Sequence, residues 1–261
     1  MKQEGIDSGK PFDWGRTSED YAKYRDIYPP LFYQKLTDRG LCVSGQRVLD
    51  VGTGTGVLPR NLFRFGAEWH GADISENQIA QARRLAEEAG MDIRFTAAGA
   101  EELSLPDGAF DVITACQCWW YFDPERAYPN FARMLRDGGK LVILYMAWLP
   151  FEDPIAGESE KLVLKYNPVW TGGGETRRPI QLPEAADRYF ICTEHEEYDL
   201  PVHFTRESWH GRMRACRGVG ASLTDAQIAD WDREHRALLE RIAPAEFDVL
   251  HYAALRILQK K

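Results

Sequence analysis

The first half of the chain alternates short apolar runs with segments whose apolar positions recur every three or four residues. Short apolar runs bounded by glycine or polar residues are typical of strands in a buried parallel sheet, and the second pattern predicts helices. We expect strands at 47–51, 69–73, 93–96, 110–115 and 140–146. We expect helices at 30–39, 57–65, 76–89, with Ser75 as its N-cap, and 124–135. This order predicts an α/β fold with a doubly wound parallel sheet and right-handed crossovers.

The alternation stops after Met146. Residues 148–185 contain several prolines and the run Gly172–Gly174, which predicts an insertion or cap. Two later segments, 194–200 and 251–259, suit strands that complete the sheet as an antiparallel pair at its edge. The helical patterns 206–216 and 225–242 suit a lid. We therefore expect a single domain over 1–261, with an N-terminal cap segment at 1–40, a ligand-binding core at 44–148, and the lid and last two strands at 149–261.

Composition and charge narrow the class of protein. The chain has 261 residues and a net charge of −8, with no long basic run, so a nucleic-acid partner is not expected. No run of about eighteen apolar residues predicts a membrane span, and Met1–Lys10 lacks the apolar core of a signal peptide. The five cysteines form no CxxC pair, and no motif suggests a metal. These features favour a cytoplasmic protein without membrane contacts.

A glycine-rich turn follows the first strand, where doubly wound sheets bind nucleotide-like ligands. Its spacing is GxGxG, formed by Gly52, Gly54 and Gly56, whereas a dinucleotide site would read GxGxxG. Asp50 directly before the turn disfavours a pyrophosphate but suits the aminium group of an amino-acid moiety. Asp73, at the end of the next strand, can accept hydrogen bonds from two ribose hydroxyls. The combination predicts a nucleoside ligand with an amino-acid end; a structural turn with a surface acid is the alternative.

The chain resembles the class I S-adenosylmethionine (SAM)-dependent methyltransferases. The resemblance runs through VLDVGTGTG (48–56), ADIS (72–75), GAEELSLPDGAFDVI (99–113) and MLRDGGKLVI (134–143), and it covers about residues 12–148. The chain resembles the methyltransferase type 11 group, in the small-molecule branch that includes ubiquinone/menaquinone and trans-aconitate methyltransferases. The resemblance implies a Rossmann-like, seven-stranded, mostly parallel sheet with an antiparallel edge strand and a helical lid. It also implies SAM as the methyl donor and S-adenosylhomocysteine (SAH) as the product.

The resemblance implies a set of cofactor-binding positions around the strand ends. They are Tyr24, Arg25, Asp50, Gly52, Gly54, Gly56, Asp73, Ile74, Gln78, Ala100, Glu101, Cys116 and Gln117. Ile74 would cover one face of adenine, and Ala100 and Glu101 would flank it. One position departs from the pattern, because many relatives have an acid where this chain has Gly99. The adenine amine would then meet Glu101, a backbone carbonyl or water.

The acceptor is less well defined. The aromatic run Cys116–Asp123 resembles a Gln-x-x-His-Trp-Phe run of the trans-aconitate branch, but Trp120 stands in place of the histidine. The substrate-binding candidates are Tyr21, Trp120, Arg206 and Arg212, and the catalytic candidates are Gln117, Tyr121 and His210. His203 and Glu207 are further candidate bases. A carboxylate acceptor needs no base but would need arginines. For each of these residues, packing in the core or exposure on a solvated helix face is the alternative.

The sequence therefore predicts a methyltransferase that transfers a methyl group to a small carboxylate or to an aromatic oxygen or carbon atom. Methyl transfer from a sulfonium is an in-line displacement that depends mainly on alignment. Two alternatives stay open: a SAM-binding protein without catalysis, and an NAD-dependent oxidoreductase on a Rossmann sheet. The sequence specifies neither the acceptor nor the oligomeric state.

Overall fold

The structure, a computed structural model that describes residues 5–261, contains a seven-stranded sheet. Residues 1–4, where the predicted cap segment begins, lie outside the described part. The strands are β1 (Arg47–Val51), β2 (Glu68–Asp73), β3 (Ile93–Ala97), β4 (Phe110–Cys116), β5 (Leu135–Trp148), β6 (Phe190–Thr205) and β7 (Glu246–Lys260). Their order is β3-β2-β1-β4-β5-β7-β6, and the first five pair in parallel. The predicted fold class is confirmed.

The last two strands run antiparallel to each other. The backbone N–H of Lys261 donates to the carbonyl of Tyr189 beside the start of β6, and the Thr193 hydroxyl donates to the carbonyl of Ile257. Residue numbers therefore rise along β6 while they fall along β7. The strand order places β7 between β5 and β6, so that β6 forms the edge of the sheet.

Nine α-helices connect the strands in the described residues. They are α1 (Ser18–Tyr24), α2 (Pro30–Thr37), α3 (Val57–Leu62), α4 (Glu76–Glu88), α5 (Pro124–Met134), α6 (Pro154–Tyr166), α7 (Glu184–Tyr189), α8 (Arg206–Arg214) and α9 (Asp225–Ile242). The hydroxyl of Ser75 accepts the N–H of Gln78, so this residue caps α4 as the sequence predicts. Most predicted boundaries differ from the observed ones by one or two residues.

Several segments differ from the sequence prediction. Strands β6 and β7 are longer than the predicted 194–200 and 251–259, and two further differences have a local cause. Strand β5 begins at Leu135 rather than Lys140, because residues 136–139 form a bulge: Phe110 pairs with Leu135, whereas Val112 pairs with Lys140. Gly138 has φ +71° there, so the glycines that are expected to end a helix instead allow a bulge within a strand. Residues 148–185 also contain helix α6, which the prolines concealed. The carboxylate of Asp153 caps it and Pro154 occupies its first turn.

The chain divides into two compact units. The first, here called the helical unit, contains the chain up to Ile27 together with Ala147–Arg178 and Asp199–Tyr252. The second, called the sheet unit, contains Tyr28–Met146, Pro179–Tyr198 and Ala253–Lys261. The predicted domain boundaries remain a prediction. Within residues 5–261, no helix is both long and apolar enough to cross a membrane.

Candidate cofactor-binding site

The glycine-rich turn of the sheet unit has the backbone that its sequence predicts. Gly52, Gly54 and Gly56 have φ values of +65°, +57° and +74°. Two separate causes exclude a side chain at Gly52. The left-handed backbone conformation disfavours any residue with a Cβ atom, and a Cβ atom here would lie 2.7 Å from Sγ of Cys118. The thiol of Cys118 in turn donates to the carbonyl of Val51. The turn is therefore packed directly against the segment that follows β4.

Asp50 lies beneath this turn and is 2% exposed. The hydroxyl of Thr114, on the neighbouring strand β4, donates to its Oδ1 at 2.6 Å. Burial raises the pKa of Asp50 from 3.8 to about 7, although the Thr114 hydrogen bond opposes the shift. A buried carboxyl of this kind favours a cationic partner, since a nearby positive charge would stabilise its ionised form.

Asp73 connects the turn to the end of β2. Its Oδ2 accepts the backbone N–H of Gly54 and its Oδ1 accepts that of Ser75, each at 2.9 Å. Burial raises the pKa of this carboxyl, while the two N–H donors oppose the shift. Each oxygen keeps a second lone-pair direction, so the carboxylate can still accept hydrogen bonds from two further donors.

After Asp73, one apolar side chain is exposed and one polar side chain is buried. The side chain of Ile74 is 61% exposed, which is unusual for an isoleucine beside a buried strand end. Gln78, one helical turn later, is buried. An exposed apolar side chain at this place is suited to contact a planar ring.

In the segment after β3, two glutamate carboxylates lie close to Gly99. A Cβ atom at Gly99 would meet Oε2 of Glu102 and would lie 3.3 Å from Oε2 of Glu101. The two neighbouring carboxylates therefore lie close to where an acidic side chain at position 99 would begin. Oε1 of Glu101 accepts the N–H of Asp123, and the carbonyl of Ala100 accepts the side-chain N–H of Asn130. These bonds fix the loop at the carboxyl end of β3.

The segment after β4 has an unusual backbone. Gln117 has φ +63°, a left-handed conformation that a non-glycine residue adopts only when its surroundings enforce it. Its backbone N–H donates to the carbonyl of Leu144, and its side-chain N–H donates to the carbonyl of Met146. The thiol of Cys116 lies 3.4 Å from the hydroxyl of Tyr28. The side chain of Gln117 is thus held against β5.

An aromatic cluster follows Gln117. Trp119, Trp120 and Tyr121 form a single 3-10 turn, and both tryptophan rings lie edge-on to Tyr145 of β5 at 5.7–5.8 Å. The side chain of Trp120 is 38% exposed. Side chains of β5 and of the segment after β4 thus form a ring wall, here meaning Trp119, Trp120 and Tyr145.

The other predicted site residues belong to the helical unit. The guanidinium of Arg25 donates to the hydroxyl of Tyr21 at 3.2 Å, and the hydroxyl of Tyr24 donates to Glu207 at 2.8 Å. Arg206 donates twice to the carbonyl of Ala243, at the end of α9. These contacts hold the side chains within their own unit, and their predicted roles in cofactor or substrate binding remain predictions.

His210, a candidate base, lies in a buried chain of hydrogen bonds. The hydroxyl of Ser159 donates to the carbonyl of Ile155, so that Ser159 accepts from Nε2 of His235. Nδ1 of His235 must then accept the Nδ1–H of His210, 2.9 Å away. Oδ1 of Asp232 lies 3.1 Å from Nε2 of His210. The catalytic role of His210 stays a prediction, and its ring also serves to join α8 to α9.

Sequence reasoning missed Thr114 and Asn130. Thr114 lies within an apolar strand and Asn130 on an amphipathic helix, so no motif marks them, although parallel pairing of β1 with β4 could have brought Thr114 to Asp50. Only the packing around each of these side chains gives it a role.

The sheet with a GxGxG turn, a buried acid beneath it and a second acid at the end of β2 has a Rossmann-like arrangement. Folds of this kind bind nucleotide-like ligands at the carboxyl ends of their strands. Residues 49–143 match the family described as "Methyltransferase domain". This stretch of the chain is thus similar to methyltransferase domains.

The curated relatives that this chain resembles include methyltransferases. The chain is 41% identical over 114 residues to a demethylmenaquinone methyltransferase of Thermus thermophilus, a match that covers 42% of this chain and 52% of that protein. It is 34% identical over 108 residues to a ubiquinone biosynthesis O-methyltransferase of Coxiella burnetii, covering 41% and 46%. The chain thus spans about half the length of the curated relatives it matches. The solved YcgJ protein of Bacillus subtilis shares the fold, with a TM-score of 0.52, 22% identity, and coverage of 88% and 98%.

Proposed function

We propose that this protein is a SAM-dependent methyltransferase that acts on a small-molecule acceptor. The observation that carries the proposal is the arrangement of a buried acid, Asp50, and a half-buried acid, Asp73, around one glycine turn. Asp50 lies beneath the turn, and Asp73 binds its backbone at Gly54. The match of residues 49–143 to the methyltransferase family supports the same conclusion.

The residues present fit SAM. Asp50 would face the aminium group, whose charge would stabilise the ionised carboxylate. Asp73 would accept hydrogen bonds from the ribose hydroxyls with its remaining lone pairs. Ile74 would cover one face of adenine, and the loop at Ala100 and Glu101 would meet its edge. The glycine turn would lie against the methionine part.

When bound, SAM supplies a methyl group on a sulfonium that is already activated for displacement. The protein then has to align donor and acceptor and exclude water, and such alignment accounts for a large part of the rate of displacement reactions. The strained Gln117 and the ring wall of Trp119, Trp120 and Tyr145 would form the side of the site that faces the acceptor. Aromatic walls suit a planar acceptor.

Binding is tested first, by isothermal titration calorimetry with SAM, SAH and NADH. We expect SAM and SAH to bind and NADH not to bind. Asp73→Asn should weaken SAH binding about 10- to 100-fold, because an amide is a poorer acceptor than a carboxylate. Asp137→Asn, at a fully exposed carboxylate in the β5 bulge, is the matched control and should bind SAH normally. NADH binding without SAH binding would instead indicate an oxidoreductase.

Turnover is tested second, as SAH released from SAM in the presence of phenols, quinols, carboxylic acids and amines. Release that depends on one acceptor class supports methyl transfer to a small molecule. SAH binding without release for any acceptor would contradict the enzymatic part of the proposal and would indicate a non-catalytic SAM-binding protein.

A further inference from the structure

Thr114 is a buried polar residue inside an apolar strand of the sheet unit. It is fully buried, as are its neighbours Ile113 and Ala115, and its strand β4 lies between β1 and β5. A hydroxyl at such a place costs free energy unless it forms a hydrogen bond. The Thr114 hydroxyl donates to Oδ1 of Asp50 at 2.6 Å, a length typical of the strong bonds that hydroxyls donate to carboxylates. The bond to this acid therefore offsets the cost of burying the hydroxyl.

The sheet fixes the geometry of this bond. Asp50 and Thr114 are partners in the register of the parallel pair β1 and β4, so their side chains extend from the same face of the sheet. Strand β2 pairs with the other side of β1, and β5 pairs with the other side of β4. Neither strand can change its register without disrupting a second pair. The hydroxyl is thus held beside the carboxyl of Asp50, two residues before Gly52 begins the glycine turn.

Hydroxyl groups, and no cation of residues 5–261, support the charge of Asp50. Burial raises the pKa of this carboxyl to about 7. The hydrogen bond from Thr114 is the larger of two that oppose the shift, and the other comes from Thr53. The nearby carboxyl of Asp73 adds to the rise. Thr114 is therefore the main group in the described chain that favours the ionised form.

Two thiols on neighbouring segments do not change this conclusion. Burial, followed by the charge of Asp50, raises the pKa of the Cys42 thiol, which precedes β1. The same two causes raise the pKa of the Cys118 thiol, which follows β4. Both thiols are therefore neutral at physiological pH and supply no charge to Asp50.

We propose that Thr114 is a positioning residue for the cofactor: its hydroxyl holds Asp50 in the ionised form that attracts the aminium group, and it thereby sets the lowest pH at which the protein binds SAM tightly. This inference rests on the proposed function, in which Asp50 faces the aminium. A protonated carboxyl offers the aminium no charge, so binding strengthens as the pH rises through the pKa of Asp50 and then levels off. Without the Thr114 hydrogen bond that pKa lies higher, and the binding curve moves to higher pH.

The affinity for SAH as a function of pH tests this role, by calorimetry on the whole protein. Thr114→Val removes the hydroxyl and keeps a β-branched side chain. Loss of a hydrogen bond to a charged group raises the pKa of an acid by about one unit or more. We therefore expect Thr114→Val to bind SAH about tenfold more weakly than the wild type at about pH 6, and within about twofold of it at about pH 8.5. The amine of the ligand titrates alike in every comparison at equal pH.

Three further variants accompany this one. Thr114→Ser keeps the hydroxyl and should restore the wild-type pH profile. Thr114→Ala removes the hydroxyl in a smaller side chain and should give the same shift as the valine, so the test does not depend on one substitution. Thr193→Val is the matched control, because the Thr193 hydroxyl, on β6 of the same unit, donates to the carbonyl of Ile257 and not to an acid. Its pH profile should equal that of the wild type.

A second measurement does not use the cofactor. Urea unfolding of the ligand-free protein at about pH 5 and about pH 8 follows the ionisation of Asp50 through the stability of the fold. Thr114→Val should lose more stability than the wild type between these pH values, because its buried acid ionises without the hydrogen bond. In an Asp50→Asn background the same substitution should have the same effect at both pH values, since no acid is left to titrate.

Two results would overturn the inference. One is a loss of SAH affinity in Thr114→Val by the same factor at every pH, which would show a structural role alone, and the other is a pH profile equal to that of the wild type. In either case SAH still binds, and the proposed function stands. If SAH does not bind to the wild type at any pH, the proposed function fails and the positioning role fails with it. The unfolding series then still decides whether Thr114 controls the ionisation of Asp50.

Discussion

At the residue scale, the requirement for glycine at position 52 has two causes, its own backbone conformation and a neighbouring side chain. The GxGxG spacing is visible in the sequence and predicts a tight turn. The sequence does not show that Cys118, 66 positions later, packs against the same glycine. The left-handed backbone and the thiol exclude a side chain independently of each other.

Gly52→Ala should therefore destabilise the protein more than an alanine at a glycine with a similar backbone and open space. Gly45 is that control, because it has φ +84° and no other atom lies within 4 Å of the place that a Cβ would occupy. The backbone strain of about 1–2 kcal/mol is common to both variants, and overpacking at Gly52 adds roughly 1–3 kcal/mol. Urea unfolding measures both losses. Equal losses would show that the contact with Cys118 does not matter.

Asp50 gives a dependence of stability on pH with a defined sign. Its pKa rises from 3.8 to about 7 in the folded protein because the carboxyl is buried. The stability that its protonated form contributes is fully present below the unfolded pKa and is lost as the pH rises through the folded value of about 7. Bound SAM would reverse part of this loss, because its aminium stabilises the carboxylate.

Asp50→Asn keeps a neutral group of the same size at every pH. Between about pH 5 and pH 8, the free energy of unfolding of the wild type should fall relative to this variant by on the order of 2 kcal/mol. Urea unfolding at the two pH values, without ligand, measures the difference. Other titrating groups, such as the buried His251, are present in both proteins, so their contributions cancel in the difference between the two free energies of unfolding. A difference that does not change with pH would contradict the raised pKa.

At the element scale, three helices of the helical unit meet through polar groups rather than through apolar packing alone. Ser159 of α6 accepts the indole N–H of Trp209, on α8, and Nε2–H of His235, on α9. His210 joins the last two helices through its bond to His235. Trp231 stacks on both histidine rings, at 5.3 Å from His210 and 4.4 Å from His235. The positions of these helices are therefore set by specific partners.

Ser159→Ala should destabilise the protein by about 1–3 kcal/mol, because it leaves two buried donors without an acceptor. Ser222 supplies the control. Its hydroxyl is also buried, but it has no hydrogen-bond partner in the described chain, so Ser222→Ala should be neutral or slightly stabilising. Urea unfolding of both variants tests the contrast. Similar values for the two serines would show that the Ser159 bonds contribute little.

Elements with a regular pattern were predictable, and elements that depend on context were not. Helix α9 agrees with its prediction at both ends, Asp225 and Ile242, because its periodicity is long and Thr224 caps it. Helix α6 was hidden by nearby prolines, although Asp153 and Pro154 form a standard start signal. The early start of β5 depends on a bulge against β4, which no local pattern encodes.

At the scale of the whole molecule, a ligand that binds only the folded chain raises its free energy of unfolding. SAH at about 100 times its dissociation constant should add about 2.7 kcal/mol. Urea unfolding at fixed SAH concentration measures the increase, and Asp73→Asn at the same concentration should gain clearly less. An equal gain in the variant would show that Asp73 does not contribute to the site.

The sequence by itself determined the order of strands and helices up to β5, the glycine turn, and the acids on either side of it. These features are local or periodic, so that each can be recognised from residues a few positions apart. The tertiary structure decided which distant side chains meet: Thr114 with Asp50, His210 with His235, and Arg212 with Trp148. Such pairs depend on how the elements pack. The packing also determines which groups are buried. Burial raises the pKa of Asp50, and it leaves Nε2 of His251 without a hydrogen-bond partner in the described chain.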